Sequence, residues 1–235
     1  MVGDGLEDAE TGCLPPCMWI GRTHGCVVQP HGITLSGEID DDFVNGFEQS
    51  LRHVEKRSPP NTPLPVYISS MGGDVYAALK MVDLIDASPM RIMTVAVGPC
   101  MSAAALLFAC GCRRYAGPNA SFMLHSVRCD IIEGKLHDVA VEHAEMLRLN
   151  GHMFELMSRR TGNEPGYFNA RFGEGNTDSY VTPTQAREIG LATHIGVPTL
   201  TAHVSCTIDL DVATAATTEE PVEPVQRVLR RRREP

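Results

Sequence analysis

Three short stretches of this sequence carry residue types able to handle an acyl group. Ser70-Met71-Gly72-Gly73-Asp74 follows the apolar run Pro65-Val66-Tyr67-Ile68-Ser69 and precedes a helical pattern. Paired glycines at a strand-to-helix turn let the backbone come close to a ligand, with N–H groups aimed at developing negative charge. Such donors form an oxyanion hole, although the same glycines also suit a purely structural bend. One unit later, Ile92 to Val97 leads into Gly98-Pro99-Cys100-Met101-Ser102-Ala103-Ala104-Ala105. A serine at a helix N-terminus followed by small residues lies in a positive dipole with space beside it, as a nucleophile requires. Its hydroxyl would serve equally as a helix cap. His125 closes the run Phe122-Met123-Leu124 at the carboxyl edge of a predicted strand, where parallel sheets keep their ligand-handling residues. By type it is either a general base or a hydrogen-bonded structural histidine.

The elements that must hold these residues follow from hydrophobic periodicity. The pattern predicts a strand over Val66 to Ser69, a helix from about Val75 to Ala87, and a strand over Ile92 to Val97. A helix from about Ser102 to Cys110, a short run Phe122 to His125, and a long helix from about Leu136 to Arg160 come next. This alternation is the βαβ rhythm of a parallel sheet with right-handed crossovers, so the class is α/β. At 1.5 Å per residue the long helix would extend about 37 Å, more than a small domain covers. Leu136, Val139, Ala140, Leu147, Phe154 and Met157 follow one helical line, and Met146, Leu149, Met153 and Leu156 widen it beyond a single core-facing stripe. One side is expected to pack on its own domain and the rest on another subunit, the alternative being a long helix buried wholly in its own core.

Composition narrows the class further. A chain of 235 residues holds one compact domain plus tails at roughly 150 residues per domain. Hydrophobic residues at 43% and charged residues at 21% argue against disorder, collagen-like repeats or a coiled-coil rod. No apolar run approaches the roughly 18 residues of a membrane-spanning helix, so a soluble protein with no membrane partner is expected. The net charge of -9 gives no broad basic surface, and nucleic acid is not an expected partner. Arg227, Arg230, Arg231, Arg232 and Arg233 crowd the end of the chain and read as a solvated tail.

Eight cysteines are too few for a disulfide scaffold of this length, and no apolar secretory segment opens the sequence. A cytoplasmic or other reducing compartment is expected, and not secretion. Cys13, Cys17, His24 and Cys26 lie close together but lack the paired short spacings of structural zinc sites, so no metal is expected. Residues 1–30 read as a flexible N-terminal extension, 31–200 as the folded domain, and 201–235 as a tail with an Arg-rich end.

The stretches YISSMGGDV, GPCMSAAALL and RRYAGPNASFMLH, then a long helix, then TDSYVTPTQAREIGLATHIG, together resemble the ClpP family of serine peptidases from about Ile33 to Val197. The resemblance implies a ClpP/crotonase-like fold of repeated βαβ units with a protruding handle helix. It also implies a serine endopeptidase with Ser102 as nucleophile, His125 as general base and Asp178 as orienting carboxylate. Gly73 and Ala103 would supply the oxyanion-hole N–H groups. Family members form homo-oligomeric rings enclosing a chamber for unfolded polypeptide or peptide substrates, and no cofactor is implied. The chain has no Gly-x-x-x-x-Gly-Lys-Ser/Thr, so ATP dependence would come from a separate AAA+ ATPase unfoldase.

Met71 stands where the family usually has proline, Ala103-Ala104 where it has Met-Gly, and Ser126-Val127 where it has Gln-Pro. These departures bear on rate and cleavage preference, and the loop before Asp178 is expected to be ordered by assembly. The order Ser, His, Asp and the lack of a Gly-x-Ser-x-Gly elbow disfavour an α/β-hydrolase. Two other readings are a catalytically weak ring subunit with a structural or regulatory role and a crotonase-like acyl-CoA enzyme. The latter usually relies on loop carboxylates, where this chain offers Ser102 and His125.

Overall fold

The computed structural model describes residues 21–23, 26–29, 32–128, 135–173 and 177–199. The tail from 201 onward with its arginine cluster, the first 20 residues, and Cys13, Cys17 and His24 lie outside the described residues. Strands β1 (Gly21–Thr23) and β2 (Cys26–Gln29) form an antiparallel ribbon that continues antiparallel onto β3 (Gly32–Ile39). Residues 21–23 and 26–29 thus take part in the sheet. Their backbone groups are satisfied by the neighbouring strand despite a sequence without clear alternation.

From β3 the sheet turns parallel. It proceeds through β4 (Pro63–Gly73), β5 (Arg91–Met101), β6 (Arg114–Ala116) and β9 (His194–Ile195). Strand β5 divides its partners. Thr94 to Ala96 pair with β6, whereas Pro99 to Met101 pair with β7 (Ser121–Leu124). Gly98 lies between the two segments at φ +85°, a conformation that suits glycine and lets the strand change neighbours. β7 in turn pairs antiparallel with β8 (Ser179–Val181).

Helices follow β3, β4 and β5, the crossovers an α/β chain requires. α1 (Asp41–Glu55) starts where the Phe43 N–H donates to Asp40 Oδ1 at 2.8 Å, and it buries Phe43, Val44, Phe47 and Leu51 along one face. α2 (Val75–Ala87) is capped in the same way, with the Ala77 N–H donating to Asp74 Oδ1 at 2.7 Å. α3 (Ala103–Ala109) is too short to persist in water, and it is held by burial of all seven of its residues. α5 (Pro183–Glu188) opens with a capping box between Thr182 and Gln185 and with proline in its first turn.

α4 (Leu136–Thr161) is divided along its length. Leu149, Met153, Phe154, Leu156 and Met157 are buried in the domain, whereas Val141 and Leu147 are 54% and 60% exposed. The apolar line read from the sequence therefore spans two environments, a buried C-terminal half and an N-terminal half open to solvent. The buried Arg114 guanidinium fixes the C-terminal end of α4 to its surroundings. It donates to the carbonyls of Leu191, Gly190, Gly111 and Arg160 at 2.8 to 3.4 Å. Among the described residues no helix is long and apolar enough to cross a membrane.

Candidate active site

The nucleophile candidate sits just beyond the last paired residue of β5. Met101 pairs with Met123, and the Ser102 N–H donates to the Met123 carbonyl at 2.8 Å. The ladder thereby sets Ser102 beside the end of β7, where His125 follows Leu124. His125 Nε2 and Ser102 Oγ are 2.8 Å apart. Ser102 makes no side-chain cap on α3, so its hydroxyl serves the imidazole rather than the helix. Its backbone has φ 52° and ψ −124°, a conformation costing on the order of 1–3 kcal/mol for a residue with a side chain. The strand-to-helix elbow is present without the Gly-x-Ser-x-Gly pattern that usually signals one.

The third group is brought in by β8. Leu124 pairs antiparallel with Ser179 at the end of the ladder, so His125 and Asp178 are the next residues on the two facing segments. The Asp178 carboxylate does not bond the imidazole, however. It accepts from Arg128 Nη2 in an ion pair whose side chains are 62% exposed for the arginine and 29% for the aspartate. His125 Nδ1 is buried and makes no hydrogen bond of good geometry among the described residues, its nearest polar neighbour being the Ser126 backbone. Burial pushes the His125 pKa below its ordinary value, the Arg128 cation adds to that effect, and the Asp178 charge and the Ser126 backbone oppose it. The net effect favours the neutral imidazole, the state a general base needs.

Comparison with known proteins matches residues 22–199, more than half of the chain, to the family model described as Clp protease. The chain belongs to the Clp protease family. It is also similar to a Streptomyces coelicolor protein named as like the proteolytic subunit of an ATP-dependent Clp protease. The two are 28% identical over 172 residues, which cover 72% of this chain and 80% of that protein.

Of the oxyanion-hole residues carried over from the Clp family pattern, Ala103 is the fully buried first residue of α3. Its N–H lies in the first turn, where no intrahelical acceptor exists. Gly73 ends β4 in register with Ile39, and a Cβ there would run into the Ile39 backbone. The two glycines thus belong to the strand rather than to a turn after it. Gly72, the other of the paired glycines, is the residue that abuts the nucleophile, and Ser70 Oγ accepts from its N–H at 3.1 Å. A Cβ on Gly72 would lie 2.8 Å from both the Met101 carbonyl oxygen and Ser102 Cβ, at φ +104°.

Gly72→Ala is therefore expected to cost on the order of 1–3 kcal/mol of stability and to displace Ser102 from His125. Calorimetry should show a melting midpoint several degrees lower, with loss of reactivity toward a serine probe. An unchanged midpoint with full reactivity would refute this packing argument.

The departures from the Clp family pattern have identifiable places. Met71 is exposed at the surface, and Ala104 is fully packed. Ser126 Oγ donates to the Gly173 carbonyl at 2.9 Å. The Val127 N–H donates to Asn150 Oδ1 at 3.0 Å, a bond that the usual proline could not make. These two contacts tie the segment after His125 to α4 and to the π-helical turn Asn169–Gly173. Among the described residues no cluster of His, Cys, Asp and Glu is arranged to hold a metal ion. The side chain of Cys26, like the rest of the N-terminal Cys/His group, lies outside the described residues.

Proposed function

We propose that the chain is a serine-type endopeptidase that cleaves peptide bonds of unfolded polypeptides through Ser102, His125 and Asp178 within an oligomeric ring chamber. The observation that carries this reading is the 2.8 Å contact between Ser102 Oγ and His125 Nε2 at a strained strand-to-helix turn. With the imidazole hydrogen on Nδ1, Nε2 accepts the Ser102 proton while Oγ forms a bond to the substrate carbonyl carbon. The resulting oxyanion is met by the N–H groups of Gly73 and Ala103. The tetrahedral centre collapses, its C–N bond breaks, and the proton passes from Nε2 to the departing amine. Water, deprotonated by Nε2, then attacks the acyl carbon, the C–Oγ bond breaks, and the proton returns to Ser102 Oγ as the carboxylic acid product leaves. A crotonase-like reaction needs no such alcohol–imidazole contact.

A fluorophosphonate probe tests the assignment directly. A single adduct mapping to Ser102 in the native protein is expected, and an unlabelled protein or an adduct on another residue would overturn it.

The ring reading rests on family membership and on the solvent-facing apolar residues of α4, which then acts as a handle between protomers. Leu147→Glu is expected to leave the melting midpoint within a few degrees, since the site is already exposed, while lowering the assembled mass read by native mass spectrometry. An assembly of unchanged mass would place the ring contact elsewhere. In this reading unfolding is left to a separate AAA+ ATPase, since the chain has no Gly-x-x-x-x-Gly-Lys-Ser/Thr of its own and the Streptomyces relative is named after an ATP-dependent protease.

A further inference from the structure

We propose that Arg128 is a positioning residue that holds the Asp178 carboxylate off His125, so that the resting protomer carries a Ser–His pair in place of a completed triad. The inference rests on the peptidase reading above and names a control acting on that site. Three observations carry it. The β7–β8 ladder ends at Leu124–Ser179, so His125 and Asp178 are the next residues beyond it on facing strands and the Asp178 charge acts on the imidazole. The Asp178 carboxylate is nevertheless bonded by Arg128. The buried Nδ1 that the carboxylate would satisfy makes no hydrogen bond of good geometry among the described residues. A buried polar nitrogen left unpaired is costly, so the imidazole offers Asp178 a competing position. Arg128 acts on the base in a second way, because a cation beside the imidazole opposes the imidazolium that forms during attack.

The hold is shallow. Arg128 is mostly solvent-exposed, and exposed ion pairs shift a population by at most about fivefold. Salt screens such a pair readily. The resting state is thus restrained without being locked, and the fraction of protomers with Asp178 on the imidazole sets the observed rate.

The sign of the expected change follows from the charges. Arg128 from the segment after β7 and Asp178 from the segment before β8 are the charged groups acting on His125. Removing Arg128 takes away a cation and frees an anion, and both raise the imidazole pKa. Two readouts on the full chain separate the possibilities. One is the rate of fluorophosphonate labelling of Ser102. The other is the pH dependence of diethyl pyrocarbonate modification at His125, mapped by peptide mass, which follows the imidazole whether or not Ser102 is a nucleophile.

Arg128→Leu is expected to label about two- to fivefold faster at a pH above the imidazole midpoint, and to raise that midpoint. Arg128→Lys should keep wild-type behaviour. In the Asp178→Asn background the labelling gain should vanish and the rise in midpoint should shrink. Raising salt on the wild-type protein should reproduce part of the gain, which keeps the test available if Arg128→Leu folds poorly. A midpoint unmoved by Arg128→Leu, or a gain that persists in full with Asp178→Asn, overturns the proposal. If Ser102 stays unlabelled in every variant, the peptidase reading fails, and the His125 midpoints still decide whether Arg128 restrains Asp178.

Discussion

Ser102→Ala is expected to abolish fluorophosphonate labelling and to lower peptide turnover by about a millionfold, while the fold and the assembled mass stay as they are. The activity loss follows from chemistry, because no neighbouring hydroxyl stands in reach of His125 Nε2 in the described contacts. The preserved fold follows from the local structure. Ser102 Oγ does not cap α3, so its removal breaks no helix terminus. Alanine keeps the Cβ that packs against Gly72, and the turn keeps both its strain and its shape. The lost hydrogen bond to a partly buried imidazole is worth on the order of 1 kcal/mol, a shift of a few degrees in melting midpoint. Peptide hydrolysis measured beside calorimetry decides the matter. Turnover reduced by less than about a thousandfold would remove Ser102 from the chemistry.

The parts of the molecule legible in the sequence are those specified by local signals. α2 occupies the predicted Val75 to Ala87 because Asp74 caps its start and helix-forming residues fill it to the end. α4 starts at Leu136 as predicted, and Gly162 in the left-handed conformation ends it. α1 carries comparable signals in Asp40 and the apolar positions Phe43, Phe47 and Leu51, yet the reading of the sequence did not mark it. β4 extends four residues past its predicted end at Ser69, because Gly72 and Gly73 pair with Glu38 and Ile39. Glycines that look like a turn in sequence are there a close approach of two backbones.

The site divides along the same line. Ser102 and His125 announce themselves by type and by their place at strand ends, whereas Asp178 is an ordinary loop aspartate until the β7–β8 pairing brings its segment alongside that of His125. Arg128 was invisible for a related reason. Its partner is 50 residues away, and nothing in the spacing of the two marks them as competitors for one carboxylate. The divide along α4 is also a tertiary property, since both halves carry apolar residues and only packing distinguishes them.

Asp178→Asn is expected to reduce turnover by roughly ten thousandfold with little change in KM or melting midpoint. An amide keeps the size of the side chain but donates hydrogen bonds as well as accepting them. Set opposite Nδ1 it can stabilise the tautomer with hydrogen on Nε2, which leaves Nε2 unable to take the Ser102 proton. It also provides no charge to balance the imidazolium, while Arg128 remains nearby as an uncompensated cation. The His125 midpoint should therefore fall further below its ordinary value. Stability is expected to change by less than about 1 kcal/mol, because the ion pair lost with the carboxylate is solvent-exposed. A large loss of rate without a loss of folding distinguishes an orienting group from a structural one. A rate loss under about tenfold would mean that Ser102 and His125 work as a pair without Asp178, and the chain would then be better understood as a low-turnover subunit of its ring.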